Sequence, residues 1–144
     1  MKERTQYVFE SVFDSAYDGD SLTLIDDLGN NVSFKSKVRL KGLDTPELRG
    51  GTPLTKQAAK IVRDYVALWC KDEALISMSL KDDKDKYGRY LIELYKDGIL
   101  LNHHLIEIGF ARPYFGEKKK PWTDQEATAI INSSFAKILQ PKNN

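Results

Sequence analysis

One cysteine, Cys70, stands alone in 144 residues, so an internal disulfide is excluded. The fold must hold by its own core. A chain of this length buries about 68–70% of its unfolded surface and can do so. Net charge is also scarce: 22 Lys and Arg face 21 Asp and Glu, for a balance of +1. That excludes a broad basic face for nucleic acid, so any handling of phosphate must rest on a local site. Long apolar runs are missing as well, and no stretch approaches the ~18 residues needed to span a bilayer. The opening "MKERTQYVFESVF" lacks the continuous apolar segment of a secretory signal. The compartment expected is therefore the cytoplasm, with secretion after loss of a leader as the alternative. There is no internal repeat, low-complexity tract or linker, and one domain over residues 1–144 is expected, with 140–144 as a frayed tail.

What is present alternates like a β protein. "YVFESVFDSA" at 7–16 is rich in aromatic and β-branched residues, "DGD" at 18–20 is a turn signal, and "SLTLI" at 21–25 alternates. "LGNN" at 28–31 turns the chain into "VSFKSKVRL" at 32–40, with Val32, Phe34, Val38 and Leu40 as inward candidates. These make a three-strand meander. Arg39 shares parity with Ser33, Lys35 and Lys37, which on its own reads as a solvated face. Thr52-Pro53 suits an N-cap and first helical position. Ala58, Val62, Tyr65 and Trp69 then recur at helical spacing. A fourth strand is expected at 74–80, a polar loop at 81–88 and a fifth strand at 89–95. A short helix at 100–109 stops at Gly109. A last helix at 123–139 opens with a capping box, Thr123 and Glu126, and carries an apolar stripe of Ala127, Ile130, Ile131, Phe135 and Ile138. Five strands, with a helix between the third and the fourth, are the plan of an OB-fold. The expected class is α+β, mainly β: a five-stranded Greek-key barrel with about three helices.

The residues able to do chemistry gather at strand ends. Asp20 follows the first turn, and Asp44 and Glu47 follow the third strand in "RLKGLDTPELRGG". Carboxylates from two turns, with backbone carbonyls, suit a hard cation such as Ca²⁺. Taken singly, Asp20 and Asp44 read first as turn formers. Arg39 lies on the strand feeding the acidic turn and Arg89 opens the fifth strand, and a guanidinium fork beside carboxylates and a cation suits two phosphate oxygens. "DKDKYG" from Asp83 begins like an EF-hand loop, but Tyr87 and Leu94 fall where that loop needs oxygen ligands. Adjacent His103 and His104 on a helix point about 100° apart and cannot chelate together. Cys70 reads as a small apolar filler, and "EKKKP" at 117–121 as a solvated loop able to add a salt-sensitive contact to nucleic acid.

Three motifs, "DGDS" at 18–21, "RLKGLDTPE" at 39–47 and "DKYGRY" at 85–90, together resemble the staphylococcal nuclease family. "LIEIGFARPY" at 105–114 is similar to its late helix and exit, and the likeness covers roughly 7–138. The resemblance implies one Ca²⁺ ion held by Asp20, Asp44 and the backbone carbonyl of Thr45. It implies Glu47 as the residue that deprotonates or orients the attacking water, and Arg39 and Arg89 as the clamp on the scissile phosphate. Lys86 and Tyr87 would contact the neighbouring phosphate or sugar, and Tyr114 would stack on a base. The reaction implied is hydrolysis of DNA and RNA at the P–O5′ bond, leaving 3′-phosphates, with single-stranded substrate preferred and the protein acting as a monomer. There are departures. "LRGGTPL" after Glu47 is short, Arg49 adds a charge there, and "RPYF" replaces a more widely spaced aromatic pair. The alternative from another class is a catalytically inactive OB-fold module that binds nucleic acid or protein. A Ca²⁺-stabilised structural domain is the third, and it leaves Arg39 and Arg89 without a role.

Overall fold

A computed structural model describes residues 5–139, so the tail at 140–144 lies outside the described residues. The order of elements is β1 (Gln6–Asp18), β2 (Ser21–Gly29), β3 (Val32–Leu40), β4 (Leu43–Asp44), α1 (Pro53–Cys70), β5 (Leu75–Lys84), β6 (Tyr90–Lys96), β7 (Ile99–Leu100), α2 (Leu101–Glu107), β8 (Arg112–Pro113), α3 (Asp124–Ile131) and α4 (Ser134–Lys137). β1, β2 and β3 form the expected meander, and β5 pairs with both β1 and β6. A parallel pairing of β3 with β6 closes the barrel, with Val38 opposite Tyr90, Arg39 opposite Leu91 and Leu40 opposite Ile92. The five-stranded barrel is the OB-like plan.

The interior is filled by Leu22, Leu24, Val38, Leu40, Leu75, Ile92 and Leu94 from the strands. Val62, Val66, Leu101, Leu105 and Phe110 pack on it from the helices and their exits. Helix α1 begins where the sequence predicts. The Thr52 side chain accepts from Thr55 N, the Thr55 side chain accepts from Thr52 N, and Pro53 is the first helical residue. Ala58, Val62 and Tyr65 are buried, while Trp69 is half-buried with the Lys96 ammonium 4.2 Å from its ring. Asn102 on α2 joins three segments. Its Nδ2 donates to Lys41 O (2.9 Å) and Ile92 O (3.0 Å), and its Oδ1 accepts from Leu94 N.

Four expectations are corrected. Val32 and Phe34 are not inward. They are 53% and 60% exposed, because the β2–β3 hairpin projects past the end of the core and turns at Asn30 and Asn31, both left-handed. Residues 81–88 are not all loop: β5 continues to Lys84 before the turn. The last helix is two, because Ser133 caps a new one through Ala136 N, which makes four helices among the described residues. Ile138, after the break, is 61% exposed and leaves the stripe.

Candidate functional site at the barrel rim

The start of β2, the end of β3 and the entry to β6 lie at one end of the barrel. Leu40 N donates to Asp20 O (2.9 Å) and Lys41 N to Ile92 O (2.8 Å). Gly19 lets the Asp18–Asp20 turn press onto α1, since a Cβ there would stand 2.4 Å from Val62 Cγ1. Strand β4 pairs with β8, setting Asp44 opposite Arg112. That pairing folds the chain's exit, with Tyr114, Lys119 and Trp122, over the rim.

Arg39 is buried, against the solvated face its parity predicts. The outer face of β3 is covered at its end by the segment running to Thr45 and by Tyr114, whose ring lies 5.7 Å from the guanidinium carbon. Arg39 Nη2 sits 3.1 Å from Asp20 Oδ2 and 3.8 Å from Asp44 Oδ1. Asp20, Asp44 and Thr45 are each at most 3% exposed. Asp44 Oδ2 accepts from Arg112 Nη2 (3.1 Å) and Nε (3.3 Å) and from Trp122 Nε1 (3.1 Å). Asp44 Oδ1 and Thr45 Oγ1 are buried without a hydrogen bond.

Arg89 is joined to this cluster through Ser21. Its Nη1 donates to Ser21 Oγ (2.9 Å), and Ser21 Oγ donates to Asp20 Oδ1 (3.3 Å). Asp85 fixes Arg89 from behind, accepting from its Nε at 2.7 Å. Tyr87 is 71% exposed, with Arg89 and the Lys86 ammonium 5.6 and 5.2 Å from its ring. Glu47 projects from a loop tethered on both sides. Thr45 N donates to Asp20 Oδ2 (3.4 Å) and Leu48 N to Asp18 Oδ1 (3.0 Å). The Glu47 carboxylate is half exposed and accepts from Lys119 Nζ at 3.1 Å. Arg39, Asp20, Asp44 and Thr45 thus form one buried group. Arg89, Lys86 and Tyr87 border it on the β5–β6 turn, Tyr114 covers Arg39, and Glu47 stands at the edge.

Burial pushes the carboxyls of Asp18 and Asp20 above their ordinary range. For Asp20, Arg39 opposes this while the negative charges of Asp44 and Asp18 add to it. Burial disfavours their charged forms, and the nearness of the other carboxylates disfavours them further. Among the described residues no three His, Cys, Asp or Glu side chains gather as a metal-binding group. The donor set is two carboxylates, with lone pairs free on Asp44 Oδ1, beside backbone carbonyls. That fits an ion completing its shell with carbonyl and water oxygens, as Ca²⁺ does.

Residues that sequence reasoning left without a role here are Asp18, Ser21, Asp85, Arg112, Lys119 and Trp122. The first three lie inside or open the three short motifs, Arg112 lies in "LIEIGFARPY", and Lys119 lies in "EKKKP", read only as a solvated loop with a salt-sensitive contact. Arg112 and Trp122 reach Asp44 only through the β4–β8 pairing, for which the sequence carries no local signal.

The family described as Staphylococcal nuclease homologue matches residues 37–134, a span that holds Arg39, Asp44, Thr45, Glu47 and Arg89, with Asp20 before it. A comparison with curated proteins finds no match.

Proposed function

The chain belongs to the staphylococcal nuclease homologue family, and from that premise we propose that it is a calcium-dependent nuclease. It would cleave DNA and RNA, single strands by preference, at the P–O5′ bond and leave 3′-phosphates. The observation that carries this reading is the burial of Arg39 between Asp20 and Asp44, with Asp44 Oδ1 left unbonded. An ion pair kept at a rim rather than replaced by apolar packing is poor value for stability and good chemistry for phosphate.

Asp20, Asp44 and the Thr45 carbonyl would hold Ca²⁺, which when bound polarises a phosphoryl oxygen and offsets its charge. Arg39 and Arg89 bind the scissile phosphate and stabilise the extra negative charge of the pentacoordinate transition state. The network through Ser21 keeps the two guanidinium groups in register, so little reorganisation is needed as charge develops. Glu47 accepts a proton from the attacking water, or aligns it, from a loop whose backbone is tied to Asp20 and Asp18. Lys86 and Tyr87, exposed beside Arg89, take the adjacent phosphate or sugar. Tyr114 offers a ring to a base, the sequence-tolerant contact suited to single strands.

The test is cleavage of single-stranded DNA and RNA with Ca²⁺, with Mg²⁺ and with chelator, for wild type and Glu47→Gln. Ca²⁺-dependent cleavage to 3′-phosphate ends, reduced by about 10²–10⁴ in the variant, is expected. Intact DNA under every condition, from a folded protein that retards it on a gel, replaces the nuclease with the binding module.

A further inference from the structure

Three cations approach Asp44, and they are not equivalent. Arg39 is buried, with its Nη2 near Leu43 O as well as both acids. Arg112 donates to Asp44 Oδ2 and to Lys120 O, and lies 4.5 Å from the Trp122 ring. Both are fixed by several partners at once. Lys119 comes from the loop between β8 and α3, and its side chain is 36% exposed. Its ammonium stands 3.6 Å from Asp44 Oδ1 and 3.1 Å from Glu47 Oε1. It therefore bridges the unbonded oxygen of the buried acid and the acid assigned to the water. The ammonium is a point charge on a flexible stem with an open route to solvent, unlike a guanidinium held by its fork.

Asp44 Oδ2 is saturated by Arg112 and Trp122, so Oδ1 is the oxygen with lone pairs to give. A divalent cation on Oδ1 would stand within ion-pair range of the Lys119 ammonium, and like charges that close repel strongly. We infer that Lys119 is an internal competitor for the divalent cation: its ammonium neutralises Asp44 and Glu47, leaves when the metal enters, and so sets the metal concentration at which the site fills. This rests on the proposed reading that Asp20 and Asp44 hold Ca²⁺. The loop backbone need not move, because Arg112 grips Lys120 O and the Glu117 carboxylate accepts from Phe115 N; only the side chain exchanges.

The experiment is calorimetric titration of CaCl₂ into the full chain without substrate, for wild type, Lys119→Met, Lys119→Arg and Asp44→Asn, with folding checked by circular dichroism. Lys119→Met should bind Ca²⁺ at least about tenfold more tightly, and its melting temperature should rise more on adding Ca²⁺. Lys119→Arg, which keeps the charge, should stay near wild type, and Asp44→Asn should abolish binding. Equal or weaker binding by a folded Lys119→Met overturns this inference alone, as does equal tightening by Lys119→Arg. If neither wild type nor Lys119→Met binds Ca²⁺, the metal reading of the site fails and takes this inference with it.

Discussion

Asp85 grips Arg89 at both ends: its Oδ1 accepts from the Arg89 backbone N–H at 3.0 Å and its Oδ2 from the guanidinium Nε–H at 2.7 Å. The same Oδ1 accepts from Tyr87 N (2.9 Å), and Gly88, left-handed at φ +81°, closes the turn. Burial acts to raise the Asp85 carboxyl. The hydrogen bonds from Arg89 and Tyr87, with the Arg89 charge, outweigh it and bring the group below its ordinary value. Its folded value being depressed, Asp85 contributes stability above the unfolded carboxylate value of about 4, and that contribution is lost as pH falls through the folded value.

Asp85→Asn tests the grip. The amide nitrogen cannot accept from Arg89 Nε, so the guanidinium loses its orientation. Turnover should drop by up to about 10²-fold, the scale set by a misplaced positioning group, while the circular dichroism spectrum stays native. Wild-type turnover from Asp85→Asn would show that Arg89 needs no such support.

Removing Arg39 should cost more than activity. Asp20 is 3% exposed, and Arg39→Ala leaves it a buried charge without its partner, a loss of about 3–5 kcal/mol. Chemical denaturation of Arg39→Ala and of Arg39→Ala/Asp20→Asn checks this. The double variant should regain part of the stability and none of the cleavage. A single variant as stable as wild type would mean that the pair carries no structural weight.

Gly19 should tolerate no side chain. Its backbone is not left-handed, so any cost of Gly19→Ala comes from the 2.4 Å approach to Val62 Cγ1, at about 1–3 kcal/mol of overpacking. In a double-mutant cycle, Val62→Ala should relieve part of that cost. Additive losses would place the strain elsewhere.

Asp26 lies away from the Asp20–Asp44 group, 6% exposed, and accepts from Ser11 Oγ at 2.7 Å. Burial raises its carboxyl, and the Ser11 hydrogen bond offsets this only in part. A raised folded value means that the folded state takes up a proton more readily than the unfolded chain. Stability from this group therefore rises as pH falls through the raised value. Asp26→Asn should melt at a higher temperature than wild type at pH 7, and the gap should narrow on acidification. A gap that is absent at pH 7, or that widens in acid, would contradict the sign.

The split between sequence and structure follows the range of the forces. Capping at Thr52 and Thr123 was legible because a cap is satisfied within three residues. β1 to β3 were legible because hairpins are local, and the candidate site could be named residue by residue because Asp20, Arg39, Asp44, Glu47 and Arg89 sit in short motifs. Parity along β3 misled for Val32 and Phe34 at one end and for Arg39 at the other, since alternation tells which residues share a face but not how far the covering layer extends. The sequence by itself determined the five barrel strands in outline, the caps and which acids and arginines are available. Tertiary structure alone decided that Arg39 is buried between two carboxylates, that Arg112 and Trp122 saturate one oxygen of Asp44, and that Lys119 reaches the other. These depend on the pairings of β3 with β6 and β4 with β8, contacts between residues about 50 to 70 positions apart that form only when the barrel closes.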